Sequence, residues 1–401
     1  MNEAYPPPAL YDPTTPAFRK DPFPVLHRLR DVDPIHRTSW GWTLSRYRDC
    51  AKVLGSREFG MLGIREVLRM ALGGGAAFEF ISRRFQFIDP PEHTRIRSLT
   101  TKAFSARRVL DMRPRIQRLV DQLLDKVNGA QGFDVIAAVA YPLPAWVISE
   151  MLGTPVEDRQ RLAAWTAPIT RLQEPGPFDP TLLAAGDSAA AEFMAYVRAL
   201  IDERRRRPGE DLLSALIAAE ESGDRLALEE LVAGVIFLFN AGHHTTRDFI
   251  GNALVALLQH RDQWELLGSE PSLIPEAVEE CLRYDPSITR TIRIALLDTE
   301  LDGRKVAAGE PVTCLLNAAN RDPERFPEPD RLDVRRPDKD HLAFGGGIHF
   351  CLGATLARLE TEVVLGALLH RYPGLQLAAE QLQWRESMTY RGPVTVPVKA
   401  T

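Results

Sequence analysis

Phe344-Gly345-Gly346-Gly347-Ile348-His349-Phe350-Cys351-Leu352-Gly353 is the stretch on which the reading of this 401-residue chain turns. Three consecutive glycines let the backbone take positive φ and approach a flat object closely. Cys351 then stands just ahead of a helix expected over residues 354–370. A helix N-terminus carries partial positive charge, and with a nearby cation it favours thiolate over thiol. A thiolate is what a metal ligand or a nucleophile needs. An isolated Cys-x-Gly behind a glycine-rich turn is more often an incidental buried cysteine, so the rest of the chain has to decide.

Composition sets the frame. A hydrophobic fraction of 45% and a charged fraction of 26% are ordinary for a globular protein with a large core. Lys plus Arg is 49 against 54 for Asp plus Glu, so the net charge of -5 gives no general attraction for polyanions, and nucleic acid is not an expected partner. Cys50, Cys281, Cys314 and Cys351 are widely and irregularly spaced without a CxxC, which points away from a disulfide framework or zinc ribbon and toward a reducing, cytoplasmic compartment. The chain opens without a basic-then-apolar leader, and no run of about 18 apolar residues occurs, so neither standard export nor a membrane span is expected. Length alone would allow two or three domains. With no internal repeat and no low-complexity linker, residues 1–401 are expected to form one domain.

Periodicity predicts a fold that is mainly α with a minor β-sheet region. Residues 41–44 read as a strand, 46–54 as a short amphipathic helix, and 91–260 as helical nearly throughout. Residues 226–258, free of proline and apolar on most sides, predict a helix of roughly 30 residues and about 45 Å through the core. In its middle, Asn240-Ala241-Gly242-His243-His244-Thr245-Thr246 stands where Leu or Ala belongs, so a functional kink is expected. Another helix is expected at 274–284, then strands at 291–295, 299–301 and 311–315, with Asp302-Gly303 as a turn.

Phe344-Gly345-x-Gly347-x-His349-x-Cys351-x-Gly353 resembles the haem-binding loop of cytochrome P450. The resemblance implies the P450 fold, with a long central helix across the haem, and haem b (iron protoporphyrin IX) as cofactor. It implies that Cys351 is the proximal thiolate ligand of the iron, pushing electron density toward O–O cleavage. Phe344 would pack beside the sulfur, Gly353 would complete the loop and His349 would face a haem propionate. Glu280-Cys281-Leu282-Arg283 resembles the family's ExxR motif, and Arg336 resembles the third member of its ion-pair triad, with adjacent Arg335 the alternative by one residue. Read without the family, Glu280 and Arg283 are neighbours on a helical face, worth roughly 0.3 kcal/mol if exposed.

Pro90-Pro91-Glu92-His93-Thr94-Arg95-Ile96-Arg97 resembles the start of the family's helix beside the haem edge. His93 and Arg97 are four apart, hence on one face, and both can donate to carboxylates. The resemblance makes them propionate clamps together with Arg293. Asn320-Arg321-Asp322-Pro323 and Leu356-Ala357-Arg358-Leu359-Glu360 are similar to the bacterial, soluble class.

Ala241-Gly242-His243-His244-Thr245-Thr246 resembles the oxygen-binding groove, where the family usually has an acid at the position of His244. In the family that acid and the following threonine organise a water chain delivering protons to dioxygen, so Thr245 and His244 are the candidate catalytic pair. Phe237, Ala241, His244 and Thr245 share one helical stripe, and small Ala241 and Gly242 leave room for a ligand. A buried threonine also commonly bonds the carbonyl four residues back. His244 is either a substitute proton carrier titrating within the usable pH range or an outward-turned spacer. Asn240 and Arg290 are the polar candidates in a substrate pocket that, by analogy, also contains Phe237, Ala241, Thr289, Ile292 and Met388.

The resemblance implies a haem-thiolate monooxygenase that inserts one atom of O2 into a small organic substrate, by hydroxylation or epoxidation, in secondary metabolism. Electrons would come from an external ferredoxin or flavodoxin, with its reductase, docking on the cysteine side; Arg95, Lys102, Arg107 and Arg108 are the candidate contacts. Because His244 replaces the acid, a peroxide-driven or rearranging haem-thiolate enzyme is the alternative. Beyond those stand a hydrolase with Cys351 as nucleophile and His349 as base, and a non-catalytic haem sensor.

Overall fold

The computed structural model describes residues 10–221 and 227–400, with the side chains of 102–103 and 219–221 outside the description. The first nine residues, Leu226 and the Lys102 side chain therefore lie outside the described residues.

The long helix (Leu228–Gln259) forms the axis of the molecule. Its start is fixed by the Glu230 carboxylate, which accepts the Ala227 backbone N–H at 2.8 Å, and by two acidic residues in the first turn, which favour the positive end of the helix dipole. The helix runs without a break through residues 240–246, where a kink was expected. Asn240, His243 and His244 find partners sideways on neighbouring elements, and Thr245 bonds the Ala241 carbonyl one turn back, so no backbone interruption is needed to satisfy them. Around this axis the main core gathers apolar side chains of the flanking helices, among them Pro142–Leu152, Arg159–Arg171, Pro180–Arg206 and Ala354–Arg371.

A second, smaller core lies under a five-stranded sheet in the order Ile35–Thr38, Gly41–Leu44, Pro311–Leu315, Arg290–Ala295, Phe59–Gly60. Gly41–Leu44 pairs in parallel with Pro311–Leu315, and the other pairs are antiparallel. The strand expected at 291–295 begins one residue earlier, because Arg290 pairs with Leu315. Asp302 and Gly303, both at positive φ, turn the hairpin between Thr299–Leu301 and Arg304–Val306, as an Asp-Gly turn favours. A sheet of Gly132–Asp134, Pro397–Lys399 and Gln376–Leu377 has no counterpart in the sequence reading, since strands of two or three residues carry no usable alternation.

The cysteine loop is held by contacts that only glycine permits. Gly347 has φ +63°, and a Cβ there would stand 2.1 Å from the Leu54 carbonyl oxygen. Cys351 N–H donates to Phe344 O at 2.9 Å, closing the loop on itself.

Behind the loop sits the ion-pair triad. Glu280 and Arg283, on the helix Ile274–Tyr284, are wholly buried. Arg283 donates Nε and Nη2 to the two Glu280 oxygens, each at 2.8 Å, and Arg336 Nε reaches Glu280 Oε1 at 3.1 Å. Arg335 instead pairs with Glu270 at the surface, which settles the register on Arg336. The other guanidinium hydrogen bonds of the triad go to carbonyls of residues 320–331. Removing the carboxylate would strand two buried cations. Glu280→Ala is expected to lose ~3 to 5 kcal/mol of folding stability, measured by urea unfolding, and a loss within that of a surface pair, below ~1 kcal/mol, would contradict the assignment.

Candidate active site

A cavity opens between the long helix and the cysteine loop. Cys351, Phe344, Gly353 and His349 line it from the loop, while Phe237, Asn240, Ala241, His244 and Thr245 line it from the helix. The strand Arg290–Ala295 contributes Arg290, Ile292 and Arg293. Nothing lies within 4 Å of where a Gly242 Cβ would be, so the helix is locally thin there.

Cys351 is the one cysteine of the four that is not fully buried by residue exposure; Cys50, Cys281 and Cys314 are packed away. Desolvation of its thiol pushes the Cys351 pKa up, against opposing effects from the Gly353 backbone N–H, Arg97 and Arg358. The helix start and the cations are therefore outweighed by burial, and thiolate is favoured only once a cation binds the sulfur itself. Arg358 stacks on Phe344 at 4.6 Å and is bonded to Glu279 through both Nε and Nη2.

Beside the loop four basic side chains converge. His93 and His349 pack ring to ring at 4.5 Å, and all four of their ring nitrogens are buried without a hydrogen-bond partner. His93 stands behind His349 rather than on the cavity wall. Arg97 donates to Phe350 O at 2.5 Å, and Arg293 donates to Ile292 O at 2.8 Å. Burial, and then the charges of Arg293, His93 and Arg97, drives His349 down to about 3. The carboxylate felt in this cluster is Asp89, and the Met61 backbone N–H already occupies both of its oxygens. Orphaned nitrogens and two under-neutralised guanidinium groups make a receptor for carboxylates supplied from outside the chain, which is what the two propionates of a haem would be. The residues present thus suit that cofactor. A nucleophile–base pair is not formed: neither His349 nitrogen has a hydrogen-bond partner, Cys351 Sγ included.

On the long helix, Thr245 lines the cavity, and its Oγ1 donates to Ala241 O at 2.7 Å, the back-bond open to a helical threonine. His244 is turned toward the neighbouring helix Arg159–Arg171, with Nε2 2.9 Å from Thr166 Oγ1. The same hydroxyl lies 3.1 Å from His243 Nδ1, and His243 Nε2 lies 3.0 Å from Tyr141 O. A carbonyl can only accept, so neutral His243 carries its proton on Nε2 and accepts at Nδ1. Thr166 has a single proton, shared between His243 and Ala163 O, which leaves His244 Nε2–H as donor to Thr166. Burial, then His243, Arg385 and Arg247, holds His244 well below its usual pKa, and burial drives His243 to about 4. Titration of His244 within the usable pH range, one of the two expectations for it, is opposed by this environment.

Asn240 lines the cavity with both amide protons and one oxygen lone pair already engaged by protein. It donates to Thr170 Oγ1 at 2.9 Å and Thr166 O at 3.3 Å, and accepts from Gln173 Nε2 at 2.7 Å. Arg290 lines the cavity, and its charge lies close enough to the buried Tyr11 hydroxyl to oppose the upward push of burial on that group. Thr289 and Met388 stand off the wall: the Thr289 hydroxyl lies 3.1 Å from the backbone oxygens of both Met388 and Thr389, and the Ile288–Tyr390 bridge turns those two residues inward instead. Of the proposed partner contacts, Arg95 is bonded to Glu230, while Arg107 and Arg108 are exposed. Sequence reasoning missed Thr166, Gln173 and Tyr390, which reach the site from distant segments and carry no local motif.

A cysteine at the end of a glycine-rich loop, faced by a threonine on a long helix and flanked by basic side chains without partners, is the arrangement that a haem-thiolate enzyme requires. The cytochrome P450 family model matches residues 76–378. Cytochrome P450 107B1 of Saccharopolyspora erythraea is 39% identical over 399 residues, covering 96% of both chains. The polyketide biosynthesis cytochrome P450 PksS of Bacillus subtilis is 37% identical over 404 residues, covering 97% of this chain and 98% of that one. The crystal structure of CalO2 superposes with a TM-score of 0.93 at 35% identity, covering 98% of each chain. The chain belongs to the cytochrome P450 family, and is an oxidoreductase of that family.

The His243 environment fixes a direction for acid lability. An unfolded histidine takes up a proton near pH 6.5, which His243 refuses until about pH 4. Stability is therefore fully present above 6.5 and falls as the pH drops toward 4, by up to ~1.4 kcal/mol per pH unit for each such histidine. His243→Gln is expected to flatten this slope in urea unfolding between pH 6.5 and 5; an unchanged slope would remove His243 as its source.

Proposed function

We propose that this chain is a haem b monooxygenase that inserts one oxygen atom from O2 into an organic substrate, using electrons from an external ferredoxin or flavodoxin. The observation that carries the reading is the cavity itself, which has the Cys351 thiol and the Thr245 hydroxyl on its two walls and the four-residue carboxylate receptor at its side. When bound, the haem supplies activation of dioxygen. Cys351 would hold the iron, with Phe344 packed near it, and His93, Arg97, Arg293 and His349 would hold the propionates. Residues 1–401 would act as one haem domain in the cytoplasm. No described helix is long and apolar enough to cross a membrane.

Thr245 is the residue placed to move protons. Its own proton is held by Ala241 O, so its lone pairs are free to accept from a cavity water, and an exchange of the back-bond lets it donate in turn. His244, anchored to Thr166, serves here as a spacer, and water replaces the acid that the family usually has. Coupling should then vary little between pH 6 and 8, since neither Thr245 nor neutral His244 titrates there.

The wall is mainly aromatic and aliphatic, with Phe85, Phe87, Phe249 and Ile288 prominent, which favours a largely apolar substrate. A place in secondary metabolism is supported by the likeness to PksS, a polyketide biosynthesis P450.

Reduced protein under carbon monoxide should show the red-shifted Soret band of thiolate ligation, and Cys351→Ala should abolish it; retention of the band would refute the ligand. Arg97→Ala and Arg293→Ala should speed haem loss to apomyoglobin, and unchanged rates would remove them as clamps. Thr245→Ala should lower product formed per NADH by roughly tenfold or more, electrons going to peroxide instead. Full coupling in that variant would take the proton role away from Thr245.

A further inference from the structure

Arg84 is buried to 1% exposure, and none of its three guanidinium nitrogens has a hydrogen-bond partner. No carboxylate pairs with it among the described residues. Its charge is sheltered by two aromatic faces, Phe80 at 4.2 Å and Phe237 at 5.6 Å. Desolvating a lone charge costs more than two such faces return. Burial pulls the Arg84 pKa down to about 9, so the group remains a cation at neutral pH. The molecule thus carries an under-compensated positive charge in its interior.

The position of that charge is informative. Phe237 lines the cavity, as do Phe85, Gln86 and Phe87, which follow Arg84 in the chain. The guanidinium therefore lies one ring behind the cavity wall. It is separate from the propionate receptor: the charges felt by His93 and His349 are those of Arg97 and Arg293, whereas Arg84 acts on Tyr390, which lines the cavity from the C-terminal segment. Phe85 packs against both His93 and Phe237, standing between the two groups.

We infer that Arg84 is the receptor for a carboxylate on an otherwise apolar substrate of this cavity. The guanidinium offers paired N–H donors that match a carboxylate in fork geometry. A turn of the Phe237 ring or of the Arg84 side chain brings the two together, and Phe80 and Phe237 hold the cation until then. This rests on the monooxygenase reading and narrows its substrate to apolar carboxylic acids.

The test uses the haem-loaded protein with decanoate, myristate and 4-phenylbutyrate, each against its methyl ester. Affinity is read from the ligand-induced haem difference spectrum, and independently from the rise in Tm. Wild type should bind at least one acid about tenfold more tightly than its ester, the gain of a charge-assisted hydrogen bond. In Arg84→Met the preference should vanish while ester affinity stays the same, and Arg84→Lys should keep part of it. Without ligand, Arg84→Met should melt no lower than wild type and lose haem no faster, because an unpaired buried charge has been removed. No acid preference in wild type, or the same preference in Arg84→Met, overturns the inference; faster haem loss in Arg84→Met overturns it by making Arg84 a propionate holder. A wild type without the thiolate Soret band would strike the monooxygenase reading instead, and the Tm arm would still report on Arg84.

Discussion

One buried carboxylate organises the proximal half of the molecule. Glu280 binds Arg283 and Arg336 simultaneously, and the arginines spread its influence over the carbonyls of a long irregular segment that has little secondary structure of its own. Arg283 reaches the Asn320 carbonyl, and the Asn320 side chain accepts the Leu342 N–H at 2.7 Å, two residues before the glycine loop begins at Phe344. A continuous polar path thus connects the Glu280 helix to the loop that carries Cys351. A hydrophobic contact could not have done this, since only directional bonds fix the path of a chain without helix or strand.

The long helix solves the opposite problem. Its centre carries polar side chains inside an apolar core: Asn240, His243 and His244 are satisfied across the helix interface, and Thr245 by the Ala241 carbonyl of the helix itself. Asn240, Gln173 and Tyr390 form a chain of hydrogen bonds linking the long helix, the end of the helix Arg159–Arg171 and the C-terminal segment. Next to Gln173, Glu174 accepts the backbone N–H groups of Met388 and Thr389. The Asn240 amide, which lines the cavity, is thus also a bracket over it.

Much of this was legible before any coordinates. The helix over 228–259, the sheet strands near 290 and 311 and the cysteine loop follow from apolar period, turn chemistry and three glycines, all of which are local signals. The Glu280–Arg283 spacing showed that the two could meet, while their burial depends on residues 320–336 folding over them. The helical pairing stays continuous through 240–246, and the partners of Asn240, His243 and His244 there are Thr166, Thr170, Gln173 and Tyr141, far away in sequence. Thr289 and Met388 were misplaced relative to the cavity wall because alternation near a β-bridge depends on a register that only pairing defines. His244 was recognisable as a departure from pattern, yet its orientation and depressed basicity arise from neighbours no motif encodes.

The distribution of charge ties these observations together. Most buried arginines of the fold are answered by carboxylates or carbonyls, and among the groups left without a partner three stand at or just behind the cavity wall. His93 and His349 keep four nitrogens unpartnered at its side, and Arg84 keeps three unpartnered behind Phe237. Such groups lower stability as the chain stands, so consistency across the fold breaks where an outside partner is expected to restore it. The two sites are distinct in neighbours and in the charges they feel. By that logic the first is shaped for the acid groups of the cofactor and the second for an acid group that is exchanged at each turnover, which is why only the second can be neutral to haem retention while still governing which molecules enter.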